Sequence, residues 1–176
     1  AAIAVTGSSS KLLSSEYSTL LTGRHINTTV FPLSFKEYLQ FKKIEVKNHA
    51  DIIKKRLLIP KKLKEYLEFG GFPKPTTIED LSLKKELLST YFDDIMQKDI
   101  QKKHAIKESQ KLDDLGKYYM TNNARLASFN KIKETIGLSL DSVQRFSKYM
   151  EEAYLVFFAS IFSYSKKVQI VNPKKV

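Results

Sequence analysis

A chain of 176 residues, 42% hydrophobic and 11% aromatic, carries enough apolar side chain to close one core or two small ones, which excludes a disordered polar tail. Zero Cys excludes a disulfide framework and any thiolate site and fits a cytoplasmic protein, and no apolar run approaches the ~20 residues of a membrane-spanning helix. The net charge of +11 comes from 26 Lys and only 4 Arg, and it divides evenly, with 18 basic and 12 acidic groups in residues 1–106 and 12 and 7 in 107–176. A nucleic-acid face usually gathers its charge and uses Arg for bidentate contacts, so the excess alone does not indicate one.

In chain order, residues 1–5 read as a buried strand entering Thr6-Gly7-Ser8-Ser9-Ser10, whose serines cap a helix carrying Leu12, Leu13, Tyr17, Leu20 and Leu21 and stopped at Gly23. Residues 24–31 include the β-branched Ile26, Thr28, Thr29 and Val30 and predict a second short strand. Ser34 and Glu37 form a capping box for a helix over 35–41. A short helix is expected over 51–58, ending before Pro60, then a helix over 61–69 stopped by Gly70-Gly71, with 72–75 extended. Leu83, Leu87, Leu88, Tyr91, Phe92, Ile95, Met96 and Ile100 predict one long helix with a continuous apolar stripe.

Beyond residue 108 the pattern becomes three short helices and a β-rich tail. Leu112, Leu115, Tyr118 and Tyr119 mark the first helix, and Phe129, Ile132 and Ile136 the second. Gly137-Leu138-Ser139 is a tight turn with Ser139 as N-cap, and Val143, Phe146, Tyr149 and Met150 face inward on the third. Residues 155–164 and 167–171 are expected as two strands of a hairpin turning at Ser165-Lys166. Three helices and a hairpin predict a winged helix-turn-helix.

The ordered set formed by residues 3–13, Leu21-Thr22-Gly23-Arg24, Phe31-Pro32-Leu33-Ser34-Phe35, Gly70-Gly71-Phe72-Pro73, 91–100 and 130–156 resembles a group of prokaryotic AAA+ ATPases with a C-terminal winged-helix domain. The resemblance runs from the strand beside the ATP γ-phosphate onward. It implies a mainly α chain with a small β component: the remnant of an α/β P-loop core in 1–40, a helical lid or linker region in 41–106 and a winged-helix domain in 107–176. Thr6 and Ser8 match the sensor position, where a hydroxyl orients the attacking water or holds the γ-phosphate. Arg24 matches the arginine finger, which reaches a neighbouring subunit's γ-phosphate. ATP and Mg²⁺ are implied for the full-length protein. The implied partners are other subunits of the same ATPase or another protein, with DNA as the alternative and no membrane.

No G-x-x-x-x-G-K-[ST] occurs in the sequence, and no apolar strand ends in paired carboxylates suited to Mg²⁺, since Asp93-Asp94 falls within the long helix. In the resembled group both elements precede the sensor strand, so this chain is expected to be catalytically incomplete by itself. His25, His49 and His104 are too scattered for a metal motif. The predicted recognition helix, 139–152, carries Arg145 and Lys148 against Asp141, Glu151 and Glu152, a net charge of −1, with Gln144 and Arg145 the side chains suited to base contact. That balance favours a protein partner over DNA.

Overall fold

In a computed structural model, which describes Ile26 and residues 28–176, the chain is mainly α with a small β component. The strand expected over 1–5 and the helix after it lie outside the described residues. Two compact units emerge, Ile26–Tyr91 and a second whose described part is Phe92–Val176.

The first unit is built from short helices. No strand forms at Ile26 or over 28–31, contrary to the β-branched pattern, and Val30 and Phe31 are exposed. β-branching favours a pleated surface only where neighbouring strands supply packing. α1 (Phe35–Phe41) begins at the expected capping box: Glu37 N–H donates to Ser34 Oγ at 3.4 Å, and Ser34 N–H donates to Glu37 Oε2 at 2.8 Å. α2 (His49–Lys54) is capped by Asn48, which accepts from Asp51 N–H. It stops short of the helix expected over 51–58, and α3 (Leu58–Phe69) runs through Pro60 instead of starting after it. Pro60 sits in the first turn, where its missing N–H would have had no intrahelical acceptor. Gly70, at φ +74°, closes α3 as expected.

The 72–75 stretch is helical, not extended. α4 (Pro73–Thr77) starts with Pro73 in its first turn, whose fixed φ suits that position, while Phe72 before it is extended. Tyr38, Leu39, Pro75, Thr76 and Lys84 are buried, and the rings of Phe35, Tyr38 and Tyr66 cluster with centroids 5.4–6.1 Å apart. The chain near Leu33 is tied down twice: its N–H donates to Gly71 O, and its carbonyl accepts from Tyr66 Oη, both at 2.8 Å. A Cβ on Gly71 would be driven into that carbonyl.

α5 (Leu81–Asp94) continues directly into a π-helical stretch, Ile95–Lys102, so the long predicted helix exists but changes its winding. The stripe is also uneven. Leu83 is exposed and Lys84 buried, whereas Met96 and Ile100 are sealed in the core of the second unit. Asp93 is exposed, and Asp94 pairs with Lys98 at 2.8 Å.

In the second unit, α6 (Ser109–Thr121), α7 (Phe129–Ile136) and α8 (Leu140–Glu152) match the three expected helices. Gly137 adopts the left-handed conformation, φ +70°, that ends α7, and Ser139 Oγ accepts from Ser142 N–H at 3.0 Å to start α8. Leu112, Leu115, Tyr119, Ile132, Leu138, Val143, Phe146 and Met150 share one core with Met96 and Ile100. Ile136 and Leu155 pack at its edge. Gly116 permits close approach of α6, since a Cβ there would meet Met96 Cε at 2.9 Å and Phe92 Cζ at 3.0 Å.

The expected hairpin is rearranged. β1 (Leu126–Ala127), between α6 and α7, pairs antiparallel with β2 (Lys174–Lys175), and Lys175 also bridges Ala159. Residues 167–171 form part of a short helix, α9 (Lys166–Val171), rather than a strand. Val168, Ile170 and Val171 are all exposed, so no sheet face selects the extended form. Tyr119 is sealed in the core and Tyr118 and Phe158 pack against it, but Phe157 is exposed.

Candidate functional site

Thr6, Ser8 and Arg24, the residues nominated for γ-phosphate chemistry, lie outside the described residues. Among the described residues no group of three or more His, Cys, Asp or Glu side chains could hold a metal ion. The second unit presents an exposed face on α8 with a cleft beside it.

Val143, Phe146, Ser147 and Met150 point inward at helical spacing, which leaves Gln144, Arg145 and Lys148 on the outer face of α8. Ser147 Oγ donates to Val143 O at 2.6 Å, so the Tyr119 hydroxyl, 2.6 Å from Ser147 Oγ, is the donor of that pair. Burial pushes the Tyr119 phenol up to about 12, which keeps it a neutral donor. Arg145, one of the two side chains suited to base contact, pairs with Asp141 one turn earlier (Nη1 to Oδ2, 3.2 Å), and its guanidinium lies 5.5 Å from the centroid of the Phe146 ring.

Beside this face is an open cleft of about 470 Å³ between residues 104–108 and Arg145, Phe146 and Tyr149. The π-helical stretch delivers the loop: His104 N–H donates to Ile100 O, Ala105 takes a positive φ of 48°, and Ile106 N–H donates to Gln101 O. The His104 ring lies parallel to Tyr149, centroids 3.5 Å apart and planes 5° from coplanar. Burial, then the charge of Lys103, lowers the His104 pKa, opposed by Glu152, so the imidazole is neutral near pH 7. A neutral ring with a cationic and an acidic rim suits packing and hydrogen bonding. No nucleophile–base pair is set up there. The stack of His104 on Tyr149 was not legible in the sequence because the two residues are distant in the chain.

The first unit holds a different cluster. Lys84 is buried within an otherwise leucine-rich helix, its ammonium 3.6 Å from Glu65 Oε1 and 4.7 Å from the Phe69 ring centroid. Lys62 donates to Glu65 Oε2 at 2.7 Å. Burial would raise the Glu65 pKa, but Lys62, Tyr38 and Lys84 together hold it below the ordinary value. Burial, and then the Glu65 carboxylate, push the Tyr38 phenol far above the usual tyrosine range. Its hydroxyl makes no hydrogen bond of ordinary geometry. The signal for this cluster was in the sequence: Lys84 interrupts an apolar stripe at a position that must face inward.

Residues 1–39 match an AAA domain. No solved structure matches. An uncharacterized protein of Methanocaldococcus jannaschii is 38% identical over 170 residues, covering 94% of this chain and 38% of its own length. An uncharacterized protein of Haemophilus influenzae is 32% identical over 162 residues, covering 89% of this chain and again 38% of its own. The chain thus spans well under half the length of the curated relatives it matches. Residues 60–176, the larger part of the chain, match a family described as "Domain of unknown function (DUF8612)", and the chain belongs to that family.

Proposed function

We propose that this chain is the C-terminal portion of an AAA-type ATPase, in which ATP binding and hydrolysis are coupled to a partner through a winged-helix domain in residues 107–176. The carrying observation is the AAA-domain match over residues 1–39, followed in the same chain by the family match over 60–176. In this reading residues 1–40 close the ATPase core and 41–106 form a helical lid or linker. Thr6 and Ser8 supply the sensor hydroxyls, and Arg24 acts on the γ-phosphate of a neighbouring subunit. Hydrolysis requires the phosphate-binding loop and Mg²⁺ carboxylates, which these 176 residues do not contain.

The winged-helix reading is supported by element order. A strand between the first two of three helices pairs with a strand near the end of the domain, which also bridges Ala159 after the third helix. Within that reading a protein partner is favoured over DNA, because residues 139–152 carry a net charge of −1 and their arginine is paired with Asp141.

The test is ATP turnover by a protein that carries both this chain and the phosphate-binding loop. Arg24→Ala is expected to lower turnover by about 10³-fold or more, the scale of an arginine finger. Mixing it with a variant lacking the P-loop lysine should restore part of the activity, because each supplies what the other lacks across a subunit boundary. Unchanged turnover in Arg24→Ala, or no rescue on mixing, would overturn the assignment of Arg24. This chain alone should give no saturable heat with micromolar Mg·ATP.

A further inference from the structure

We infer that residues 156–164 form an open sheet edge that pairs, antiparallel and centred on Ser160, with the same segment of a second copy of this chain. The inference rests on the second unit alone and stands or falls independently of the ATPase reading.

The main chain supplies the first observation. Ala159 spends both its N–H and its carbonyl on Lys175, at 2.8 Å each. In an extended segment the main-chain groups of Phe158 and Ser160 then face the opposite side. Those groups make no hydrogen bond among the described residues. Such an edge is a template for another strand unless charge, proline or a covering element blunts it.

Nothing in the sequence blunts it. Residues 153–165 form the longest uncharged stretch in a chain that is 28% charged, and they contain neither Pro nor Gly. Val156 is buried and Phe158 half-buried, but the large apolar side chains just beyond Ser160 are exposed, with Ile161 51% and Phe162 83% accessible. Large exposed apolar groups along an unpaired edge mark a contact surface.

The order of residues selects a second copy as the occupant. About Ser160 the chain reads Phe158-Ala159-Ser160-Ile161-Phe162, which is nearly symmetric. An antiparallel pairing centred there sets Ser160 opposite Ser160 and each Phe158 opposite the other copy's Phe162. This is the self-complementary pattern a two-fold contact requires. The register also sets outward-facing main-chain groups opposite one another, so each can bond. Phe158 packs edge-on against Tyr119 and Phe129, with centroids 5.4 and 5.9 Å away. The incoming Phe162 would extend that aromatic cluster. Lys166 and Lys167 fall opposite residues 154 and 153, so the lysines of the two copies do not oppose each other.

The test is sedimentation of the 176-residue chain up to about 100 µM, a range that detects micromolar affinity. A reversible monomer–dimer equilibrium is expected. Ser160→Lys and Ser160→Glu, at an exposed position outside the core, should keep the wild-type helical content and melting temperature. Each should weaken the dimer about tenfold or more, because like charges then face each other across the axis. An equimolar mixture of the two should form a heterodimer at least as tight as the wild type. A wild-type chain that stays monomeric, assembles without limit, or dimerises unaffected by either substitution would overturn the inference. So would a mixture that fails to restore association.

Discussion

Helices α3 and α8 are nearly equal in length, twelve and thirteen residues, and differ completely in what they bury. α8 seals Ser142, Val143, Phe146, Ser147 and Met150, whereas α3 has no buried residue, although Leu58, Leu63, Tyr66 and Leu67 lie along it. Both sequences are amphipathic. The difference lies in what faces the apolar side: α8 meets α6, α7 and the π-helical stretch, while α3 packs mainly on the short α1. Apolar periodicity specifies a helix and a face, and burial requires a partner for that face.

The largest expected effect tests the sealed side of this contrast. Phe146→Ala removes a ring that is 1% exposed at the centre of the core and should cost about 3–5 kcal/mol in a denaturant titration. A loss below about 1 kcal/mol would show that the core around α8 relaxes freely.

Next is a test of how firmly the first unit is fixed. Gly71→Ala places a methyl against the Leu33 carbonyl and threatens the hydrogen bond between Leu33 and Gly71. About 1–3 kcal/mol should be lost, and hydrogen exchange should quicken at the Leu33 amide. An unaltered Leu33 amide would mean that this approach is not maintained in solution.

The smallest effect belongs to α3. Leu67→Ala, at a residue 75% exposed, should change stability by no more than about 0.5 kcal/mol. A cost of several kcal/mol would reveal that another surface covers α3, and the contrast with α8 would then disappear.

Local chemistry made much of this legible in advance. Ser34 with Glu37, Gly70, Gly137 and Ser139 each act through hydrogen bonds or a backbone conformation fixed within four residues of sequence, and each marks the helix end it was expected to mark. The two prolines misled because both a helix stop and a helix first turn accept Pro. Pro60 and Pro73 occupy first turns, and only the surrounding packing decides that. Residues 167–171 were misread because Val168 and Ile170 alternate as a strand would, while no facing sheet rewards the alternation. The cleft beside α8 depends on His104 meeting Tyr149, a tertiary event without a local signature.

The pairing of Leu126 with Lys175 has a kinetic consequence. Helices α6 to α8 are linked by short turns, and their mutual contacts close small loops, so they can assemble early. The sheet must wait for two strands separated by α7, α8 and α9 to meet, which costs more chain entropy before any ladder bond rewards it. During that interval the uncharged stretch from 153 to 165 has neither its Lys175 partner nor any charge to keep other chains away. Refolding yield should therefore be limited by how quickly this late closure outruns encounters between chains, and should fall as protein concentration rises.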